Sequence, residues 1–203
     1  YNKNYRTRKD RLHIFKTCSR LYLLSRTSQS NEMTDIEFFG FKVRGFNPSS
    51  LLYLFEEIFL SRDYTFKTDL KAPLIIDCGS NIGVSVLFFK MLYPNSVIHA
   101  FEPNPKSFEL LKYNVEINQL ENVILNNVAL SDEDGEVLIF NSDSKFGSLT
   151  TSIDPMRGGL HSISVNSTKL SSYLEGLNVD LIKIDVEGAE GRIVKDLESS
   201  GTL

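Results

Sequence analysis

The stretch that most constrains the fold is residues 74–84, LIIDCGSNIGV. Residues 74–77 form a short apolar run typical of a buried strand, Gly79 and Gly83 frame a sharp turn, and an apolar helical pattern follows. In such a unit, glycines let backbone amides approach a ligand closely, and the start of the helix favours negative charge. The stretch therefore predicts a site for a small, partly anionic ligand at the end of a central strand.

From residue 71 onwards, apolar strand-like runs alternate with amphipathic helical segments. The predicted strands are residues 74–77, 97–101, 123–130 and 179–185, and the predicted helices are residues 84–93, 105–118 and 189–197. This alternation is typical of parallel strands joined by crossover helices. We therefore expect residues 71–203 to form an α/β domain with a Rossmann-like, doubly wound, mostly parallel sheet and helices on both faces.

The part between the third and the last predicted core strand carries weaker signals. The Asp134-Gly135 turn before residues 137–140 predicts a hairpin strand added after the third core strand. Residues 141–160 are rich in Ser, Gly, Thr and Asp and follow no period, which indicates a connection that is functional or disordered. A short strand at 163–165 and a short helix at 167–174 are expected next.

Residues 1–70 are predicted to form an N-terminal cap. It is expected to contain a helix within residues 1–30, a hairpin at residues 37–44 and a helix at residues 48–60. Leu12, Phe15, Cys18 and Tyr22 recur at near-helical spacing and predict the apolar face of an amphipathic helix with a basic outer face. Simple solvation of that basic face is favoured over a patch for an acidic partner or a membrane surface.

Composition excludes several classes of protein. The chain has 203 residues and a net charge of -4, which disfavours nucleic acid as a partner because phosphates require a basic surface. Its two cysteines, Cys18 and Cys78, indicate neither a disulfide framework nor a CxxC metal site, so a cytoplasmic location is expected. No apolar run approaches the roughly 20 residues that cross a bilayer, so no membrane span is predicted.

A second site feature is Glu102, which follows the strand at residues 97–101. It lies about 20 residues beyond the glycine turn, where an acidic side chain can accept hydrogen bonds from both ribose hydroxyls of an adenosine. The alternative is that Glu102 only caps the following helix. The two features together predict an adenosine-containing ligand more strongly than either does alone.

Four motifs of this chain resemble the FkbM family of methyltransferases. They are DCGSNIG at residues 77–83, FEPNP at 101–105, NVALSD at 127–132 followed by Gly135, and IKIDVEGAE at 182–190. The resemblance covers about residues 50–198, and the KIDVEGAE string is the most specific of the four. In the glycine turn, Asn81 stands where the common glycine-rich version has glycine, as is usual in the resembling family.

The resemblance implies S-adenosylmethionine as the cofactor. Residues 79–83 would line its methionine portion, Glu102 would bind the ribose, and the edge at residues 127–130 would lie beside the adenine. The implied cofactor-binding residues are Asp77, Gly79, Ser80, Asn81, Gly83, Glu102, Asn104, Asn127 and Ala129.

Candidate catalytic residues follow from the chemistry of methyl transfer, which needs an aligned acceptor and removal of its proton. Asp185 and Glu187 leave the carboxyl end of a core strand, where ligands of open parallel sheets bind. Asp185 is the first candidate for base or orienter and Glu187 the second, with Lys183 and Glu190 in support; the alternative is that these acids cap the next helix or pair with Lys183. His161, beside the polar connection, is a third candidate. No metal is assigned, because two carboxylates without a third ligand do not establish a site.

The resemblance further implies O-methylation of a hydroxyl on a sugar, glycan or natural-product acceptor, with a homo-oligomer left open. Two alternatives remain: a nicotinamide-dependent oxidoreductase, which predicts GxGxxG spacing, and a non-catalytic Rossmann-like scaffold. Ser171 and Ser172 stand where family members often carry acids. The usual further C-terminal strands are not seen, so we expect a fragment, or a neighbouring chain that covers the sheet edge.

Overall fold

The computed structural model describes residues 7–27, 33–61, 63–141, 151–153, 156 and 161–202. Most of the predicted connection at residues 141–160 lies outside the described residues. The elements in chain order are α1 (Arg8–Thr27), β1 (Thr34–Phe38), β2 (Phe41–Gly45), α2 (Pro48–Phe55), a π-helical turn (Glu56–Ser61), β3 (Leu74–Cys78), α3 (Val84–Leu92), β4 (Val97–Phe101), α4 (Pro105–Ile117), β5 (Val123–Asn126), β6 (Ala129–Ser131), β7 (Gly135–Asn141), β8 (Thr151–Ser152), β9 (His161–Lys169), α5 (Leu170–Leu174), β10 (Leu181–Ile184) and α6 (Glu190–Ser199).

The central sheet has the strand order β10-β3-β4-β5, and all of its strands are parallel. Neighbouring residues of β3 face opposite sides of this sheet. Ile75 packs into a core that contains residues of α3 and α4, whereas Ile76 packs into a second core that contains residues of α5 and α6. Helices therefore cover both faces, and the predicted Rossmann-like α/β fold is confirmed.

Helix starts follow their sequence signals closely. The Asn104 side chain accepts hydrogen bonds from the backbone N–H groups of Lys106 and Ser107, and a proline occupies the first turn of α4. Asn47 caps α2 in the same way, by accepting from Ser50. The helix predicted at residues 48–60 continues beyond α2 as the π-helical turn, which widens the backbone at its end.

A second sheet, with the order β6-β9-β7-β8, differs from the sequence prediction. The strand predicted at 137–140 is β7, and it pairs antiparallel with β9 over its whole length instead of joining the parallel sheet. The run predicted as one strand at 123–130 is divided into β5 and β6. Strand β9 is longer than predicted because polar residues fill most of its positions on either side of Ile163 and Val165, which hides the strand pattern in the sequence.

Helix α1 is present, but its orientation differs from the prediction. Leu12, Phe15 and Tyr22 are exposed, whereas Thr17 and Leu21 are buried. Cys18 is half-buried against the core, as the stripe predicted. The choice of face was wrong because α1 has apolar residues on two sides, and only the packing against α2 and β1 selects between them.

The N-terminal segment is defined here as α1, β1, β2, α2, the π-helical turn and the stretch up to residue 70. It packs against α3 and α4, the helices on one face of the parallel sheet. Phe59 and Phe88 are in edge-to-face contact within one continuous core. In addition, α4 presents two amides to β2. Asn114 accepts from the N–H and donates to the carbonyl of Arg44, and Asn118 does the same with Lys42. These four hydrogen bonds fix the hairpin against α4.

Candidate functional site

A solvent-open cleft with an empty volume of ≈ 770 Å³ lies where the carboxyl ends of β3, β4 and β10 meet. Parallel strands place their carboxyl ends on one edge, so residues distant in sequence converge there. Its lining includes Tyr53, Glu57, Tyr64, Gly79, Ser80, Asn81, Glu102, Ser107, Lys183, Asp185 and Glu187.

The turn after β3 follows the path that its glycines predict. Gly79 and Gly83 have φ angles of 84° and 88°, and Asn81 is also left-handed. A Cβ atom on Gly79 would lie 1.9 Å from the carbonyl oxygen of Asp185, so the turn packs directly on the end of β10. The close approach made possible by glycine therefore brings two strand ends together.

The backbone N–H groups of this turn differ from the sequence expectation, because they have acceptors within the protein. Those of Gly79 and Ser80 donate to the carbonyl of Phe101, and that of Gly83 donates to the carbonyl of Ser80. The N–H of Asn81 donates to Glu102, and the N–H of the next residue donates to the Asn81 side chain. The turn therefore offers a shaped backbone surface rather than a set of free amides.

Glu102 is buried at the tip of β4 and faces the cleft. Its Oε2 accepts from the N–H of Asn81 at 2.8 Å, and its Oε1 accepts from the N–H of Asn104 at 2.8 Å. Burial raises the pKa of Glu102 to about 7, against the lowering effect of these two hydrogen bonds. The side chain that caps α4 is Asn104, so capping alone does not explain why a carboxylate stands at position 102.

Lys183 lies at the centre of a buried charge network. Its Nζ is 3.1 Å from Oδ1 of Asp77 and 3.7 Å from Oδ2 of Asp185, and it donates to the carbonyl of Gly79 at 2.7 Å. Burial lowers the pKa of Lys183, but Asp77 and Asp185 outweigh burial and raise it overall. Asp77 also accepts from the hydroxyl of Ser85 at 2.6 Å, so this carboxylate is fully enclosed.

Asp185 is partly exposed and receives a second partner from the N-terminal segment. The hydroxyl of Tyr64 donates to Oδ2 of Asp185 at 2.6 Å, and Nζ of Lys183 lies 5.1 Å from the centre of the Tyr64 ring. Burial and the Asp185 carboxylate raise the pKa of Tyr64, so it stays a hydrogen-bond donor. Within the described residues, the hydrogen bond from Tyr64 and the ion pair with Lys183 both fall on Oδ2 of Asp185.

Glu57 and Tyr53 complete the opposite wall of the cleft. Burial and the nearby Asp185 raise the pKa of Glu57. Together with Tyr64, these residues were missed at the sequence level, because they lie in a part of the chain without a recognised motif. The π-helical turn that carries Glu57 leaves no sequence pattern that distinguishes it from an α-helix.

Glu187 lines the cleft beside Asp185, in a left-handed conformation with φ of 51°. The residue that precedes α6, Ala189, provides no side-chain cap, and Glu190 in the first turn accepts from the N–H of Gly188 at 2.9 Å. The pairing of Asp185 with Lys183, one of the alternatives, is present.

Six predicted site residues do not line this cleft. Three of them support elements beside it: Asp77 lies in β3, Gly83 precedes α3 and Asn104 caps α4. The other three lie elsewhere. His161 begins β9 opposite residue 141, and its exposed side chain does not line the cleft. Asn127 is exposed and donates to the carbonyls of Glu102 and Pro103, so it braces the tip of β4. Ala129 lines a second, apolar cleft of ≈ 340 Å³, which shares Gly79, Pro103 and Val186 with the first.

No group of three or more His, Cys, Asp or Glu side chains in the described ranges is arranged to hold a metal ion. Of the helices that the structure describes, none has the length and apolar character to cross a membrane.

Sequence comparison connects residues 77–201 with the family described as Methyltransferase FkbM domain. Methyltransferase 1 of Beauveria bassiana is 29% identical over 175 residues, which cover 75% of this chain and 70% of that protein. The 31-O-demethyl-FK506 methyltransferase FkbM of Streptomyces tacrolimicus is 26% identical over 193 residues, with coverages of 79% and 74%. The 2-O-methyltransferase NoeI of Sinorhizobium fredii is 30% identical over 138 residues, with coverages of 60% and 56%.

Among solved structures, a methyltransferase FkbM from Methylobacillus flagellatus aligns with 14% identity and a TM-score of 0.48. The alignment covers 68% of this chain and 32% of that one, so the chain spans about a third of the solved protein. TYW2 of M. jannaschii, solved with AdoMet, aligns with 19% identity and a TM-score of 0.40, covering 52% of this chain and 49% of that chain.

Proposed function

The chain belongs to the FkbM methyltransferase family, and on that premise we propose that it is an S-adenosylmethionine-dependent O-methyltransferase. Its acceptor is a hydroxyl group of a sugar, a glycan or a natural product. Relatives named for methylation at oxygen, the FK506 and NoeI enzymes, support this reaction. The net charge of -4 favours such an acceptor over a nucleic acid.

The observation that carries the proposal is the pair of carboxylates on one sheet edge. Glu102 ends β4, Asp185 follows β10, and both face the same cleft. An in-line transfer requires the cofactor and the acceptor to be held next to each other, and two carboxylates at separate strand ends of one cleft can each bind one of the two molecules.

The residues present fit S-adenosylmethionine. Each carboxylate oxygen of Glu102 accepts one backbone N–H, so each retains a lone pair that a ribose hydroxyl can use. The apolar cleft lined by Pro103, Val128 and Ala129 suits the adenine ring and adjoins Glu102 in sequence. When bound, the cofactor supplies a methyl group activated by a sulfonium. We assign Asp77, Gly79, Ser80, Asn81, Gly83, Glu102, Asn104, Asn127 and Ala129 to forming or bracing its site.

Asp185 orients the acceptor hydroxyl and takes up its proton in this proposal. Lys183 and Tyr64 hold Oδ2 of Asp185 from two sides, so that Oδ1 can accept the hydroxyl. Glu187, on the same turn, is the second candidate for contact with the acceptor. The wall formed by Tyr53 and Glu57 lies opposite and gives the acceptor aromatic and acidic surface.

Calorimetry with S-adenosylmethionine, S-adenosylhomocysteine and NAD tests the cofactor. We expect both methionine-derived compounds to bind and NAD not to bind. Glu102→Ala should weaken their binding by about 10- to 100-fold, because a hydrogen bond to a charged group is worth about 1.5–3 kcal/mol. Glu136→Ala, which removes an exposed carboxylate on β7, is the matched control and should bind as the native chain does. Binding of NAD alone would favour the oxidoreductase alternative, and no binding would favour the scaffold.

The pKa of Glu102 adds a pH test. Ribose hydroxyls donate to the ionised carboxylate, so affinity for S-adenosylmethionine should rise as the pH passes through about 7 and then level off. Because burial raises this pKa in the folded state, the folded chain binds the proton more tightly than the unfolded chain. Glu102 therefore reduces the free energy of unfolding as the pH rises from about 4.5 to about 7. Glu102→Gln should remove both pH dependences; if they persist, another group is responsible.

A screen of hydroxylated acceptors with methyl-labelled S-adenosylmethionine tests the reaction. Sugars, oligosaccharides and hydroxylated macrocycles form one arm, and amines form the other. Transfer of label to a hydroxyl supports the proposal, whereas transfer only to nitrogen would contradict O-methylation while leaving the methyltransferase family intact.

A further inference from the structure

The outward face of α1 combines large apolar and basic side chains. Leu12, Phe15, Tyr22 and Leu23 are 54%, 69%, 50% and 63% exposed, respectively. The basic residues of the helix are all exposed as well: Arg8, Lys9, Arg11, Lys16, Arg20 and Arg26. Its one acid, Asp10, is half-buried and accepts hydrogen bonds from Thr7 at the start of the helix.

Charge is strongly divided between α1 and the rest of the chain. With six basic residues and one acid, α1 carries a net charge of +5, whereas the whole chain carries -4. The remaining residues therefore carry -9. A surface of this kind attracts anions locally, although the net charge of the chain would repel them.

The inner face of α1 holds the helix firmly against the protein. Leu21 is fully buried, and Thr17 is buried beside it. His13 accepts the backbone N–H of Phe39 at 2.8 Å, and the two rings are in contact at 4.9 Å. The 20-residue helix is about 30 Å long at 1.5 Å per residue. The exposed side chains of α1 therefore form a long, fixed strip, here called the ridge.

We propose that this ridge binds the surface of an anionic lipid bilayer, with the axis of α1 parallel to the membrane plane. Phe15, Leu12 and Leu23 enter the boundary between headgroups and acyl chains, while Lys and Arg side chains extend sideways to lipid phosphates. Charge complementarity selects an anionic surface. Large apolar and basic side chains alternate along the same helix, and this mixture favours a bilayer over an acidic protein because a bilayer offers acyl chains and phosphates together. The proposal is independent of the proposed reaction.

Vesicle flotation of the 203-residue chain tests the inference. Phosphatidylcholine vesicles with about 30% phosphatidylserine should bind the chain, and binding should fall as salt is added. Pure phosphatidylcholine vesicles should bind it at least about tenfold more weakly. Equal binding to the two vesicle types, or no binding to the anionic one, would overturn the proposal.

Two double substitutions on the ridge separate the electrostatic contribution to vesicle binding from the apolar one. Lys16→Glu with Arg20→Glu should reduce partitioning onto anionic vesicles by about tenfold or more, since each basic residue near such a surface contributes on the order of 1 kcal/mol. Phe15→Ser with Leu23→Ser should reduce it by a similar factor at high salt, where the apolar contribution remains. All four side chains are exposed, so far-ultraviolet circular dichroism should show an unchanged fold.

Lys106→Glu with Lys112→Glu, two exposed lysines of α4, is the matched control and should leave vesicle binding within about twofold. Soluble polyglutamate, as a mimic of an acidic protein, distinguishes that kind of partner from an anionic bilayer. If polyglutamate binds the ridge and competes equally at high and low phosphatidylserine, an acidic protein is the better partner and the lipid proposal fails. If binding is lost in the α4 pair as strongly as in the ridge pair, the site is not α1.

Discussion

The wall of the cleft formed by the parallel sheet and the wall formed by the N-terminal segment meet at the hydrogen bond between Tyr64 and Asp185. The sheet wall carries Glu102 and Asp185, each placed by the end of a strand. The opposite wall carries Tyr53 and Glu57, which are placed by a helix and a π-helical turn. The groups proposed for cofactor and proton chemistry therefore lie on the more regular wall.

The two walls also differ in what holds them. The sheet wall depends on a buried ion pair and on a glycine that no larger residue can replace without displacing β10. The N-terminal wall depends on aromatic packing and on the amides of α4 that bind β2. We infer that changes in the sheet wall abolish the site, whereas changes in the other wall adjust it. Four substitutions, each with a control, test this difference, from the largest expected effect to the smallest.

Gly79→Ala should have the largest effect. Its Cβ would overlap the Asp185 carbonyl, and its φ of 84° is unfavourable for alanine, so we expect a loss of about 4 kcal/mol or more in the free energy of unfolding. Gly176→Ala is the control, because its φ is 76° but its Cβ would meet open space; it should cost about 1–2 kcal/mol. Urea unfolding measures the free energy of unfolding of both variants. Equal losses would show that the close contact between Gly79 and the Asp185 carbonyl is unimportant.

Lys183→Met should destabilise the sheet wall by about 3–5 kcal/mol, because it leaves Asp77 buried without its cation. Lys195→Met removes a lysine that is 74% exposed and should cost less than about 1 kcal/mol. Adding Asp77→Asn to Lys183→Met should restore part of the stability. If the two losses simply add in urea unfolding, the ion pair is not what holds this wall.

Asn114→Ala should weaken the attachment of the N-terminal segment by about 2–3 kcal/mol. The fully buried amide binds the Arg44 backbone through two hydrogen bonds and donates a third to the carbonyl of Ile82. Asn118→Ala removes a similar clamp that is half-exposed and should cost about 1 kcal/mol. Hydrogen exchange of the β2 amides and urea unfolding would measure the effects; a larger loss for Asn118 would contradict the argument.

Tyr64→Phe should change stability least, by about 1 kcal/mol, while lowering the rate of methyl transfer by about tenfold. It keeps the ring over Lys183 but removes the donor that orients Asp185. Tyr93→Phe is matched, because it also removes one 2.6 Å hydrogen bond, to the Phe66 carbonyl, outside the cleft. The measurements are the rate of methyl transfer to the acceptor found by screening and the affinity for S-adenosylmethionine, in both variants. A similar loss of rate in both variants would assign Tyr64 a merely structural role.

Residues near strand ends could be predicted well. The turn after β3, Glu102 at the tip of β4 and Asp185 after β10 are where their motifs place them, since parallel order brings those ends together. The side chains that segments without a motif bring to the cleft could not be predicted. His161 was proposed for the site because it borders a polar connection, but adjacency in sequence does not bring it to the cleft. Tyr64 lacks a motif and reaches Asp185 across 121 positions.

By itself, the sequence indicated the family through the resemblance of four motifs. It also predicted the parallel sheet and the residues at its carboxyl edge, because strand periodicity, glycine turns and carboxylates after strands are local patterns. Only the tertiary structure decided which face of α1 is buried, how β7 and β9 form a separate sheet, and which side chains complete the cleft. Those outcomes depend on packing between distant segments. Local patterns allow more than one such arrangement, and the burial of apolar area across the whole chain selects among them.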